Sequence, residues 1–261
     1  MTTELTGEDD PVVASFHLLR YPRCRIPFEL MRFVTQRRAL RRSPGLRFAR
    51  ILGTARGRSM SLSADLSRWA LFAVWDDDAA LEEFLATSPV SAHWRRRSTE
   101  TWTVGLEPLA AHGAWDGVNP LGHRHAPTAD VAPLAVLTRA TVRARHWPAF
   151  YRAAATTEPL LVAAPGLLAS IGVGERPVGR QATFSLWASA SAIGAFAYGT
   201  EHAETVRRTR AGRWYAEELF ARFRPYRSAG TWDGSDPLRG LLADRPARER
   251  TDAGTTGNSI P

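Results

Sequence analysis

The stretches Ala111–Leu121 (AHGAWDGVNPL) and Ser228–Leu238 (SAGTWDGSDPL) share the pattern G-x-W-D-G-x-x-P-L. An internal repeat constrains a fold more than any local propensity does, because each copy must close an equivalent structural unit. Read backward from each copy, the same order of elements appears twice. In the first unit a β-branched strand (PVVASFHLLRYP) leads to a helix at about Pro27–Arg42, with Phe28, Met31, Phe33, Val34 and Leu40 at helical spacing. Strands LRFARILGTA and RWALFAVWDD follow, then a helix from Asp78 to about Trp94 and a last strand ending in GAW. The second unit offers strand APLAVLTRATVRA, helix His146–Ala163, strands GLLASIGVG and QATFSLWAS, helices over about Ser191–Phe223, and a final strand YRSAGTW. Each unit is then βαββαβ, a ferredoxin-like α+β order with helices on one face of an antiparallel sheet. Two such sheets in one chain can cover each other, which predicts a pseudo-dimeric α/β barrel. The boundaries follow: units at 12–121 and 133–238, a linker at 122–132, and disordered ends at 1–11 and 239–261.

All 34 basic residues are arginine, and the net charge is +8. The arginines are scattered among acids rather than gathered into a stripe, which argues against nucleic-acid binding. A single cysteine, Cys24, excludes a disulfide framework and any multi-cysteine metal site. The first ten residues have neither a basic nor an apolar segment, so no secretory signal is visible and a cytoplasmic location is expected. The longest uncharged run, Pro159–Gly174, is too short to span a bilayer, so membrane contact is at most peripheral.

Strand alternation separates Gln181, Thr183, Ser185 and Trp187 from Ala182, Phe184 and Leu186. With the apolar set under the helices, the polar set is expected to line the barrel interior. The corresponding residues of the first unit, Trp69, Leu71, Ala73 and Trp75, are apolar, so a site belongs to the second unit. His202 lies early in a helix that Thr200 can cap, where the helix dipole favours a neutral ring with a free lone pair. A packing role for that histidine stays open. Phosphate loops, dinucleotide fingerprints, H-E-x-x-H and G-x-S-x-G are absent.

The segments PLAVLTRATVR, IGVGERPVGRQATFSLW, GTEHAETVRRTRAGRWYAEELFARF and GTWDG resemble the spheroidene monooxygenase family of carotenoid-oxidising proteins, most clearly from Pro133 to Leu238. ILGTARGRS, WALFAVW and GAWDG extend the likeness thinly into the first half. The resemblance implies an oxygen-inserting enzyme with haem b, and the fold it implies is similar to that of the dimeric α/β-barrel haem proteins. In those, a histidine on a helix of the C-terminal unit holds the iron, a role that falls here on His202 in the H-A-E segment. Arg207, Arg208, Arg210 and Arg213 are then candidates for the propionates, Trp187 for the pocket wall, and Gln181, Thr183 and Ser185 for steering oxygen or substrate. A cysteine thiolate ligand is not available in the matched region. The expected partners are an apolar small molecule, O2 and an electron donor, with a homodimer left open. Three rivals share the scaffold: a haem lyase of the aldoxime dehydratase type, a cofactor-free monooxygenase, and a haem carrier or sensor without turnover.

Overall fold

The computed structural model describes residues 12–60, 63–127, 131–176, 178–197, 207–209 and 211–242. The first repeat contains β1 (Val13–Arg20), α1 (Ile26–Leu40), β2 (Leu46–Ala55), β3 (Ala64–Trp75), α2 (Asp78–Thr87), α3 (Pro89–Arg97) and β4 (Glu100–Gly113). A two-residue strand β5 (Arg124–His125) follows in the linker, paired with β4. The second repeat contains β6 (Leu134–Val142), α4 (Trp147–Val162), β7 (Leu167–Gly174), β8 (Arg180–Trp187), α5 (Ala190–Ala197) and β9 (Tyr215–Gly230). Local chemistry sets several ends. The Asp77 carboxylate accepts from the Ala80 N–H at 2.8 Å to start α2, and Ser88, followed by Pro89, caps α3.

Eight strands close into one antiparallel barrel in the order β1-β3-β2-β7-β8-β6-β9-β4 and back to β1. Its two seams join each strand to its own counterpart. β4 pairs with β9 from Trp102–Gly230 to Gly113–Leu219, whereas β2 meets β7 only at Gly53–Gly174 and Thr54–Val173. This is the self-complementary contact of a two-fold dimer, made here within one chain.

The interior is filled by one apolar face of each half-sheet. Phe16, Phe72, Val104, Phe184, Leu219 and Phe223 belong to one buried cluster, and Phe16 stacks on Phe184 from the other repeat at 4.0 Å. Ala182, Phe184 and Leu186 therefore point inward, and the expected interior lining of Gln181, Thr183 and Ser185 is reversed. The physical reason is that β8 has one continuously apolar face, Ala182, Phe184 and Leu186, which the core shared by the two sheets takes up, leaving the face with Gln181, Thr183 and Ser185 to the helix side.

The shared G-x-W-D-G turns lie just beyond β4 and β9, and each is held by the other repeat. Asp116 and Gly117 donate their N–H groups to Glu217, at 3.1 and 2.7 Å, while Arg180 reaches the Asp116 carboxylate at 2.7 Å. Correspondingly, Gly234 donates to Glu100 at 2.8 Å and Asp233 pairs with Arg68 and Arg20. The first glycine of each motif is required by close approach. At Gly113, with φ +90°, a Cβ would lie 2.1 Å from the Glu218 carbonyl oxygen, and at Gly230, with φ +88°, 2.0 Å from that of Thr101. Trp115 is buried in the barrel, stacked on Phe72 at 5.8 Å. Arg139, 1% exposed, lies over the Trp115 ring and pairs with Glu217 and Glu175.

Other expectations change. YAEELFARF is not the end of a helix but the first part of β9, since Leu219, Ala221 and Phe223 alternate into the barrel core. Among the described residues, helix α5 covers Ala190–Ala197 and another helical turn covers 207–209. Helix α1 does not bury Phe28 and Met31, which are exposed, but buries Glu29 and Leu40 instead. Past the expected boundary at 238, Leu242 still packs against the barrel core.

Candidate functional site

The outer faces of the two half-barrels can be compared position by position. In the first repeat the layer beneath α1 to α3 is filled by Val13, Leu19, Leu71, Ala73, Trp75, Leu81, Phe84 and Trp94. One polar cluster sits inside it. His17 is fully buried, with Nδ1 3.0 Å from Thr103 Oγ1 and Nε2 2.8 Å from Ser15 Oγ, and Trp75 Nε1 donates to the same hydroxyl at 2.9 Å. Burial, reinforced by the Arg227 charge, holds the His17 pKa down at about 3.

That depression sets a pH dependence. Between its unfolded value of 6.5 and about 3, His17 takes up a proton only when the chain unfolds, so stability falls as pH drops through this window. One proton corresponds to a slope of up to about 1.4 kcal/mol per pH unit. Denaturant titrations at pH 5 and 6, where few carboxylates titrate, are expected to show this slope in the wild type. His17→Gln should flatten it, whatever it costs at neutral pH.

In the second repeat the positions of Leu71 and His17 are taken by Thr183 and Thr138, opposite each other in the β6–β8 register. Leu71 and His17 are buried, whereas both threonines are only half-buried. Neither hydroxyl has a hydrogen-bond partner among the described residues. The row extends across the sheet: Gly172 on β7, Thr183, Thr138, Phe220 on β9 and His112 on β4 are successive cross-strand neighbours. The His112 ring lies 5.3 Å from that of Phe220.

The first repeat builds one wall of this surface. Its β2–β3 loop crosses β7 so closely that a Cβ on Gly172 would lie 1.9 Å from the Ser59 carbonyl oxygen. Ser170 Oγ donates to the Arg58 carbonyl at 2.6 Å, and the Arg58 N–H donates to Glu158 of α4 at 2.6 Å. Near α5, Trp187 is buried and its ring is 5.5 Å from Phe196, in a cluster with Val136, Leu161, Ile193 and Phe220.

The expected site residues separate in this setting. Ser185 Oγ accepts from Trp187 Nε1 at 2.9 Å, and Gln181 donates to the Arg176 carbonyl at 3.3 Å, so both are engaged in holding the fold. Thr183 is the member of that set that is half-buried with no hydrogen-bond partner among the described residues. Arg207 and Arg208 are exposed on the 207–209 turn, and Arg213 lies past its end with φ 48°. His202 and Arg210 lie outside the described residues. Among the described residues, no group of three or more His, Cys, Asp or Glu side chains could hold a metal ion. Thr138, Gly172 and His112 were missed from sequence. Cross-strand register brings them together, and only the pairing of QATFSLW with LAVLTRATV could have revealed Thr138.

Against curated proteins, the chain is 33% identical to the spheroidene monooxygenase of Rhodobacter capsulatus over 236 residues, which is 89% of this chain and 98% of that protein. It is 35% identical to the spheroidene monooxygenase of Rubrivivax gelatinosus over 191 residues, 73% of each chain. The chain belongs to the spheroidene monooxygenase family. Membership makes it an oxidoreductase of the monooxygenase class. No protein-family model matches the chain. Among solved structures an aldoxime dehydratase is similar in fold, with a TM-score of 0.57 at 10% identity over 90% of this chain and 88% of that one. A second aldoxime dehydratase, in complex with butyraldoxime, gives a TM-score of 0.56 at 10% identity, covering 89% of this chain and 86% of that one. These likenesses concern the fold alone, and they agree with the pseudo-dimeric α/β barrel. None of the helices among the described residues is long and apolar enough to cross a membrane.

Proposed function

We propose that this member of the spheroidene monooxygenase family oxidises a carotenoid with O2 on the outer face of the second half-barrel, above Thr183 and Thr138. The observation that carries this reading is the pair of half-buried hydroxyls without hydrogen-bond partners among the described residues, where the first repeat is filled by Leu71 and His17. A sheet face beneath helices is ordinarily closed, and polar groups left open in an apolar surround serve to orient a ligand.

We propose haem b as the cofactor of this site. Trp187, Phe196, Val136 and Phe220 would supply apolar contacts to it, Arg207 and Arg208 would be the cations for its propionates, and His202 would hold the iron. When bound, haem supplies the activation of O2 and the one-electron chemistry of iron. The chain contributes positioning. The apolar walls hold a polyene and exclude water, while the Thr183 and Thr138 hydroxyls donate hydrogen bonds to oxygen on the bound species. In the net reaction one oxygen atom enters the substrate and the other leaves as water, with two electrons and two protons drawn from an external donor. Cys24, the sole thiol, is exposed in the first repeat ahead of α1, so a histidine-held iron would depend on such hydrogen bonds rather than on a thiolate.

Turnover with O2 and a reductant, scored as oxygenated carotenoid, tests the reaction and separates it from a lyase or a carrier. Thr183→Val conserves shape and is expected to lower the rate while leaving substrate affinity nearly unchanged. Thr183→Trp should block the proposed binding face and lower turnover at least about tenfold, with a folded circular-dichroism spectrum retained. Wild-type turnover in Thr183→Trp would place the site elsewhere.

A further inference from the structure

We infer that the α1–α3 face of the first repeat docks on an anionic lipid bilayer, with Phe28 and Met31 entering the headgroup region. Helix α1 presents Phe28 at 66% and Met31 at 79% exposure, with Leu30 at 42%. Phe28 and Met31 are three residues apart and therefore share one face. Large apolar side chains grouped on a surface helix mark an interaction site, unlike single exposed ones.

The surrounding charge says what the partner is. Arg25, Arg32, Arg96 and Arg97 line the same groove of about 460 Å³ as Phe28 and Met31. None of these four guanidiniums has a carboxylate partner among the described residues, although ion pairs are frequent elsewhere on this protein. Arg23, Arg37, Arg38, Arg41 and Arg42 add further exposed positive charge along the same segment. The acid within it, Glu29, is buried and faces inward to His93 at 2.9 Å. That contact ties α1 to α3 and so sets Arg96 and Arg97, three and four residues past His93, beside the apolar pair. Protruding apolar side chains beside Arg25, Arg32, Arg96 and Arg97 suit an interface with lipid tails below and phosphates around. An acidic protein would need the charges but not the protruding Phe and Met. The inference does not depend on which reaction the second repeat carries, because binding to lipid is read without substrate.

Co-sedimentation of the full-length protein with vesicles tests it, comparing pure phosphatidylcholine with a mixture containing phosphatidylglycerol. Binding to the anionic vesicles is expected, weakening as salt rises. The double variant F28S/M31S should lower partitioning about tenfold or more, the fold-change expected when two such side chains no longer bury their surface. R96Q/R97Q should remove the preference for anionic lipid. Because all four residues are on the surface or its groove, both variants should keep the wild-type melting temperature. The inference fails if wild type ignores anionic vesicles, if F28S/M31S binds them as well as wild type does, or if F28S/M31S instead dissolves a dimer seen by light scattering. The second outcome would mark a purely electrostatic surface of the kind an acidic protein uses, and the third a contact between two copies.

Discussion

On the proposed haem b reading, His202→Ala is expected to abolish the Soret band and to weaken haem binding by at least about a hundredfold, more than the loss of groups that only support a metal ligand. The expectation rests on observations from different levels. From sequence this histidine is expected early in a helix that Thr200 could cap, where the dipole would disfavour imidazolium and leave the lone pair available. The second repeat, in which it lies, is also the one whose outer sheet face carries the half-buried Thr183 and Thr138 hydroxyls. Free imidazole should partly restore the spectrum of the alanine variant. His93→Ala should leave the spectrum unchanged and lower stability instead, because His93 is buried and bonded to Glu29. Wild-type haem content in His202→Ala would overturn the assignment, and His112, in the same cross-strand row as Thr183, is then the first histidine to replace.

Arg139→Leu is expected to destabilise the fold by about 3–5 kcal/mol, the cost of breaking a buried ion pair from one side. Arg139 is 1% exposed and pairs with both Glu175 and Glu217, so its removal leaves carboxylates crowded at one end of the barrel. Urea unfolding monitored by tryptophan fluorescence measures the loss. Adding Glu217→Gln should recover part of it, because the variant then carries one less uncompensated charge. The pH dependence has a definite sign. Burial raises the Glu217 carboxyl, but the Gly117 N–H and the Arg139 guanidinium outweigh burial, so its pKa lies below the ordinary 4.5. Asp116 is likewise held below 3.8, with Arg50 and Arg180 overcoming its burial. Both contribute stability that is present above those values and lost as pH falls through the depressed ones. Arg139→Leu should therefore narrow the stability gap between pH 7 and pH 3. A variant within 1 kcal/mol of wild type, a cut-off of about the size of a surface ion pair, would show that this cluster does not hold the barrel end.

The repeat made most of the architecture legible. G-x-W-D-G identified two equivalent units, and LRFARILGTA coincides with β2. The same repeat also held the remedy for the largest error. TWTVGLEPLAAHGAW is a long strand in the first unit, so its counterpart ahead of Trp232 had to be equally long, yet the Ala, Glu, Leu and Arg of YAEELFARF favour a helix locally. Barrel pairing on both edges of β9 overrode that preference. The face of QATFSLW was legible as an alternation but not as a direction. Alternation says that Phe184 and Thr183 point opposite ways, and only knowledge of which layer is shared by both repeats says which way is inward. For the site, composition showed the polar set, while hydrogen bonding decided its members: Ser185 and Gln181 are engaged, and Thr183 is left open. Helix α1 misled for a different reason, since its apolar spacing is real but part of it faces outward.

The crossed turns at the barrel ends have a consequence for how such a chain can evolve. Asp116 follows the first repeat but is gripped by Arg180 and Arg139 of the second, and Asp233 follows the second but is gripped by Arg20 and Arg68 of the first. Neither half owns a complete set of interactions, so duplication did not produce two spare copies, one free to drift while the other kept the fold. The outer faces could diverge, as Leu71 against Thr183 illustrates, because each is covered mainly by its own helices. The turns could not, and this is why the words the two halves still share after their sheets became dissimilar are the ones spoken across the seam.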